Sequence, residues 1–422
     1  MKASEAFGAI VGKTYLKHPT FTRNFIRCGF GIQHYLLKHK PNRNHLPSQR
    51  FLTQISMESI LSALRRPNNS AIVNIFTPCE PLHAMGMHPL CAEGFSSYLT
   101  GGCSEKGFLE YAEQTGVPET FCSYHKALLG AVESGVLPKP RLLITTTTVC
   151  DANISSFRRM AQHYNMQEFI IDVPHEMSAG AVSYVADQIV RMTEYVQDTM
   201  RRKLDPEKLA QAVDNTNASI RCYRQFLDEL ETKYFPTSAA LQMFNLLPSH
   251  ILMGAADTRR FFEMQLADIQ ACAPNPTAKR IFWSHVLPYY AEPVCEAFDF
   301  QENVQLLIND LSFDCMQEID PQKPYDGMAR RLISNSMNGE FDRKTGAVLA
   351  MCKKLHAQGA VCFCHWGCKQ SCGGVYLLKS ALEREGIPAL ILDGDACDRR
   401  NSQLGQMSTR LQAFMELMEN RK

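Results

Sequence analysis

The order of apolar and polar positions shows the chain beginning in helices. In FIRCGFGIQHYLL and FLTQISMESILSALRR apolar residues recur every three or four positions, the spacing that lines one face of an α-helix. PNNSAIVNIFT breaks that rhythm. A polar turn leads into a mostly apolar run over residues 71–77, the pattern of a strand buried on both faces of a parallel sheet. Helix and strand patterns then alternate: GFLEYAEQTG predicts a helix closed by glycine, RLLITTTTV a strand, NISSFRRMAQHY a helix and EFIIDV a strand. From about residue 178 to 272 the strand patterns vanish. AVSYVADQIVRMTEYVQDTMRRKL and PEKLAQAVDNTNASIRCYRQFLDELETKYF read there as long amphipathic helices. After Pro274 alternation resumes, with KRIFWSHV, NVQLLIND, GAVCFCHW and PALILDGD as strands and GVYLLKSALEREG and TRLQAFMELMEN as helices.

Alternation of this kind predicts an α/β protein built of two doubly wound, Rossmann- or flavodoxin-like domains. The expected divisions are an N-terminal helical segment over residues 1–66, a first α/β domain over 67–177, a helical section over 178–273 and a second α/β domain over 274–422.

Charge narrows the partners. Forty-four basic against 43 acidic residues give a net charge of +1, which offers no basic excess to neutralise phosphates, so no nucleic acid is expected. No stretch reaches the roughly 20 apolar residues of a membrane span, and MKASEAFGAIVGKTYLKHPT lacks a long apolar core, so a cytoplasmic location is expected. GAIVGKT, residues 8–14, imitates a phosphate-binding loop, but that loop needs four residues between its glycines and here there are three. The chain is not expected to bind ATP itself.

Sixteen cysteines do change the picture. In a reducing compartment they argue for metal or redox chemistry rather than a disulfide framework. Cys28, Cys222, Cys272, Cys295 and Cys352 sit singly in helical patterns and read as packing. Others fall where open α/β sheets hold ligands, at the carboxyl ends of strands. Cys150 follows RLLITTTTV, Cys364 follows GAVCF with Cys368 one turn on, Cys397 follows PALILDGD, and Cys122 opens a helix. A thiol at a helix N-terminus is biased toward thiolate, the form that binds metal. The densest stretch, CFCHWGCKQSC, has the spacing C-x-C-x3-C-x3-C, which matches neither a common zinc knuckle nor a ferredoxin run. On residues alone, iron–sulfur, zinc, and redox-active or inert thiols all stay open.

The stretches PETFCSYHKALLGAVESGVLPKP, TTTTVCDANISSFRRM, WSHVLPYY, CHWGCKQSCGG and IPALILDGDACDRRNSQLGQMSTRLQAFMELM resemble the 2-hydroxyacyl-CoA dehydratase and benzoyl-CoA reductase family, from about Phe76 to the C-terminus. Within it the CSYHK, CDAN, CHWGCK and DGDACD wording is most similar to the double-cubane cluster proteins. That resemblance implies a homodimeric iron–sulfur reductase with an [8Fe–9S] double cubane, reducing a small substrate. It also implies a partner, an ATP-hydrolysing activator with one [4Fe–4S] cluster, to supply low-potential electrons. Two cubanes joined by a sulfide need six thiolates, and the family motifs place them at Cys122, Cys150, Cys364, Cys368 and Cys397, with Cys103 as the sixth. Cys372 departs from the pattern and reads as a spare thiol, while Cys79 and Cys91 are alternatives to Cys103. The alternative within the family is a 2-hydroxyacyl-CoA dehydratase subunit with a single [4Fe–4S] cluster on three cysteines. The alternative outside it is a non-catalytic iron–sulfur electron carrier. Glu80, after the first strand, reads either as a proton relay or as a charge at a helix start. His285 in WSHVLPYY reads as a proton donor or a structural hydrogen-bond partner, and His365 as a group tuning the cluster's potential or an exposed side chain.

Overall fold

The computed structural model describes residues 3–420. Three helices open the chain, Ala3–Thr14, Pro19–His39 and Pro47–Arg65. The last two start on proline, whose missing N–H costs nothing at a helix's first position. The third packs against a first sheet of four strands: β1 (Ser70–Val73), β2 (His88–Cys91), β3 (Leu142–Thr146) and β4 (Glu168–Ile171). These lie in the order β2-β1-β3-β4, every pair parallel. The middle section is helical, from Ala179–Met200 and Pro206–Leu230 through Ala256–Ala271. A second sheet follows, formed by β5 (Lys279–Ser284), β6 (Val304–Asn309), β7 (Gly359–His365) and β8 (Ala389–Gly394). Its order, β6-β5-β7-β8, repeats that of the first sheet, again all parallel. The molecule is therefore α/β with two doubly wound sheets. Among the described residues no helix is long and apolar enough to cross a membrane.

The strands are largely apolar because helices cover both faces. Every residue of β1, β3, β6 and β7 is buried. Within β7 the alternation of side chains sends Val361 and Phe363 into the core that spans both sheets, and Cys362 and Cys364 into a second core beneath the middle helices.

Two local differences from the sequence reading matter for the site. The apolar run at residues 71–77 is strand only as far as Val73, because Asn74 turns the backbone. Its carbonyl accepts from the Thr77 N–H at 3.1 Å and its side-chain amide donates to Thr146 Oγ1 at 3.1 Å. Strand β2, the four residues HPLC, is too short and too interrupted by proline to stand out in a pattern of apolar positions. In a doubly wound sheet, loops at the carboxyl edge near the change of strand order face a common crevice. Those after β2, β3, β5 and β7 do so here, with side chains from all four on one cavity wall.

Candidate cluster-binding site

A cavity of about 120 Å³ lies where the two α/β halves meet. Cys122, Cys150 and Cys368 line it together. Each stands at the N-cap of a helix: Cys122 before Ser123–Glu133, Cys150 before Asp151–Tyr164, and Cys368 before the short Lys369–Cys372 turn. Two of these helices belong to the first half and the third to the second, so the trio exists only in the assembled molecule. Gly367 allows the close approach. Its φ is +76°, and a Cβ there would stand 2.7 Å from the Phe121 carbonyl carbon and 2.8 Å from the Cys122 nitrogen. The Gln370 amide also donates to the Val149 carbonyl at 3.1 Å, tying the β7 loop to the β3 loop one residue before Cys150.

Burial raises all three thiols, Cys150 to about 12, and for Cys122 and Cys150 proximity to neighbouring thiols of the trio raises them further. The helix N-termini pull the other way without overcoming burial. Three thiols, one buried and two half-buried, that resist ionisation while facing one another need a cation to hold them as thiolates, and the donor set is all sulfur, which suits iron or zinc.

His365 supports the trio. Its Nδ1 accepts from the Ala396 N–H at 3.1 Å, so the ring proton of the neutral imidazole sits on Nε2, which faces Cys122 Sγ at 3.7 Å. Burial lowers its pKa and keeps it neutral. Ser123 lies at 3.5 Å from the same Nε2 and donates to Asp395 Oδ1 at 2.6 Å. That oxygen also accepts the N–H groups of Cys397 and Asp398 at 2.8 Å each. His365 is thus a buried donor toward a sulfur rather than an exposed side chain.

The remaining cysteines of the sequence reading stand elsewhere. Cys364 lies inside β7, not after it, and strand alternation turns it to the face opposite His365. Its thiol meets that of Cys372, and the hydrogen bond between them raises Cys364 and lowers Cys372 to about 7. Cys397 is buried beside the Thr100 hydroxyl, which donates to its sulfur at 3.2 Å. Cys103, at φ +52°, lies near Arg399 at the junction of the halves. Cys91 does line the cavity, as a fourth thiol on its wall, raised well above its ordinary value by burial.

Glu80 is fully buried with both oxygens engaged. Arg331 reaches them at 2.7 and 2.9 Å and the Thr216 hydroxyl donates at 3.1 Å. His285 lines the cavity, and burial pushes its pKa down to about 3. A residue that sequence reasoning missed is Glu93. It sits just past β2 on the cavity wall, 3.7 Å from His125 Nε2, and burial raises its carboxyl to about 7. The one signal for it is its place after a strand's carboxyl end, which is invisible while β2 itself is unrecognised.

The chain's sequence is similar to those of known proteins. A sequence profile of the 2-hydroxyglutaryl-CoA dehydratase D-component matches residues 74–418. The chain is similar to the (R)-phenyllactyl-CoA dehydratase alpha subunit of Clostridium sporogenes, 21% identical over 82% of this chain and 88% of that one. It is 22% identical to the lactoyl-CoA dehydratase alpha subunit of Anaerotignum propionicum, over 81% and 89% of the two chains. The alpha subunit of (R)-2-hydroxyglutaryl-CoA dehydratase from Acidaminococcus fermentans matches at 20%, over 67% of this chain and 61% of that one.

Proposed function

Because this chain belongs to the 2-hydroxyglutaryl-CoA dehydratase D-component family, we propose that it is the cluster-carrying subunit of a 2-hydroxyacyl-CoA dehydratase, with Cys122, Cys150 and Cys368 holding one [4Fe–4S] cluster. The observation that carries the reading is the meeting of three helix-capping thiols on one cavity. Three protein thiolates leave one iron of a cubane without a protein ligand. Bound there, the cluster would supply a low-potential electron and a Lewis-acidic iron to a thioester substrate.

The chain's own residues do the rest. Net dehydration of a 2-hydroxyacyl thioester takes a proton from carbon 3 and delivers one to the departing hydroxyl, which leaves as water. Electrons balance, so the electron from the partner is recycled rather than consumed. Glu93 holds a proton at its carboxyl up to about pH 7 and opens on the cavity, which suits proton delivery to that hydroxyl. Ile75, Phe76, Met243 and Leu247 line the remaining wall and exclude water. That apolar lining favours a short, uncharged acyl chain, as in the lactoyl and phenyllactyl relatives, over an acidic one. Without a phosphate loop the chain depends on an ATP-hydrolysing iron–sulfur activator for its electron.

A second reading, a reductase with an [8Fe–9S] double cubane, is favoured by Cys91, the fourth thiol on the same wall. The test separates them. In anaerobically purified protein Cys368→Ala should lose most of its iron, while Cys372→Ala should keep both iron and the reduced-state spectrum. In the wild type, lactoyl-CoA should perturb that spectrum. Iron retained in Cys368→Ala, or a spectrum indifferent to every 2-hydroxyacyl thioester, would contradict the dehydratase reading.

A further inference from the structure

Behind the cavity wall a different donor set converges. His250, at the end of the short helix Leu246–Ser249 in the helical middle section, meets the adjacent Asp314 and Cys315 in the loop after β6. One donor atom of each lies within 4.8 Å of the others, and His250 Nε2 is 3.0 Å from Asp314 Oδ1. His250 and Asp314 are more than nine-tenths buried. The second imidazole nitrogen bears on the tautomer. Nδ1 lies 3.0 Å from the Leu246 carbonyl and 2.9 Å from the Ser249 hydroxyl; with its proton given to that carbonyl, Nε2 presents a lone pair beside the carboxylate. Nε2 and Asp314 Oδ1 are both buried and face each other. A lone pair and a carboxylate set against each other at this distance take a cation between them, a proton or a metal ion.

We propose that His250, Asp314 and Cys315 bind a single divalent transition-metal ion of the zinc type, at a site separate from the three-cysteine cavity. Tetrahedral zinc, with bonds of about 2.0–2.1 Å to nitrogen and oxygen, sets such ligands roughly 3.3 Å apart, close to the spacing of the apposed atoms. Outer contacts hold the donors as metal ligands are usually held. The Leu246 carbonyl fixes the imidazole, and the Asn335 amide donates to the other Asp314 oxygen at 3.3 Å. Charge is consistent as well. Arg331 is already matched by Glu80, so a carboxylate and a thiolate from Cys315 balance a dication. A space of about 20 Å³, bounded by His250, Cys315 and Arg331, admits one water as a fourth ligand. On binding, Cys315 gives up the proton it shares with the Ser249 carbonyl at 3.2 Å. The ion would clamp the helical middle section to the second sheet.

The experiment uses the anaerobic full-length chain, equilibrated with zinc chloride and desalted, with zinc counted per chain and its shell read by X-ray absorption. About one zinc per chain is expected, with one sulfur and otherwise nitrogen and oxygen neighbours. His250→Gln and Cys315→Ser should each lower occupancy at least tenfold, whereas Cys150→Ser, in the other cavity, should retain it. No retained zinc would mean that a proton joins His250 to Asp314 instead, and would overturn the proposal. A shell of three sulfurs, or occupancy unchanged in His250→Gln, would overturn it too. The wild-type shell decides the matter even where a variant does not fold.

Discussion

Glu93 and His285 share a cavity wall and are displaced in opposite directions by the same burial. Glu93 stays protonated to about pH 7, so Glu93→Gln should keep the iron and the fold but lower turnover by about 10²–10⁴-fold, the usual worth of a positioned proton donor. An equal fall in iron would show that Glu93 organises the site instead. His285 must be buried neutral, and its pKa falls from 6.5 to about 3. The unfolded chain takes up a proton there that the folded chain does not. The stability from a neutral His285 is therefore present above about pH 6.5 and is lost as pH drops toward 3. His125, lowered to about 4, acts the same way, while Glu93 opposes them both between about pH 4.5 and 7. Among these three groups, two histidines against one carboxyl contribute stability that rises with pH between about 5 and 6.5. His285→Gln should flatten that rise by about 1.4 kcal/mol per pH unit, measured from urea midpoints. An unchanged slope would place His285 in a wetter setting than its burial indicates. At this scale the sequence was partly legible. Cys122 and Cys150 stand out as helix-opening thiols after strands or turns. Cys364 reads as following its strand, because spacing does not show that the strand runs on through His365, where the two-residue period turns Cys364 to the other face.

Among the elements, short turns do the positioning. The loop after β7 brings Cys368 against Cys122 only because residue 367 has no Cβ. Gly367→Ala should therefore lower iron occupancy and cost at least about 1 kcal/mol of stability, since alanine is strained at positive φ and would meet the Phe121–Cys122 backbone. Full iron content in that variant would show that the loop can shift without losing the site. The buried Glu80–Arg331 pair makes a contrasting case. It joins the helix Glu80–Ala84 to the helix Pro324–Ile333. Glu80→Ala strands a buried guanidinium and should destabilise the chain by about 3–5 kcal/mol, while iron per folded chain stays at the wild-type value. Loss of iron with stability intact would restore Glu80 to the site. The long helices and apolar strands were readable from periodicity, because each keeps its pattern over many residues. Strand β2 was not, since four residues including a proline carry too little pattern, and Glu93 went unnoticed with it.

Over the whole molecule, two sheets with the same strand order place their carboxyl edges on one crevice, and the three thiols meet only when both halves are docked. Junction contacts hold that docking. Tyr289 donates to the Ser97 carbonyl at 2.5 Å, Arg399 to the Thr100 carbonyl at 2.8 Å and Tyr124 to the Ala396 carbonyl at 3.3 Å. Alternating patterns in the sequence announce two α/β halves, but no pattern along a chain says which loops of one half face the other. The claim that most depends on this docking is that the chain carries one cubane on Cys122, Cys150 and Cys368. Iron per chain in anaerobically purified protein tests it most directly. The account predicts about four irons, reduced to near none in Cys150→Ser. About eight irons per wild-type chain, or four that survive the loss of Cys150, would contradict it.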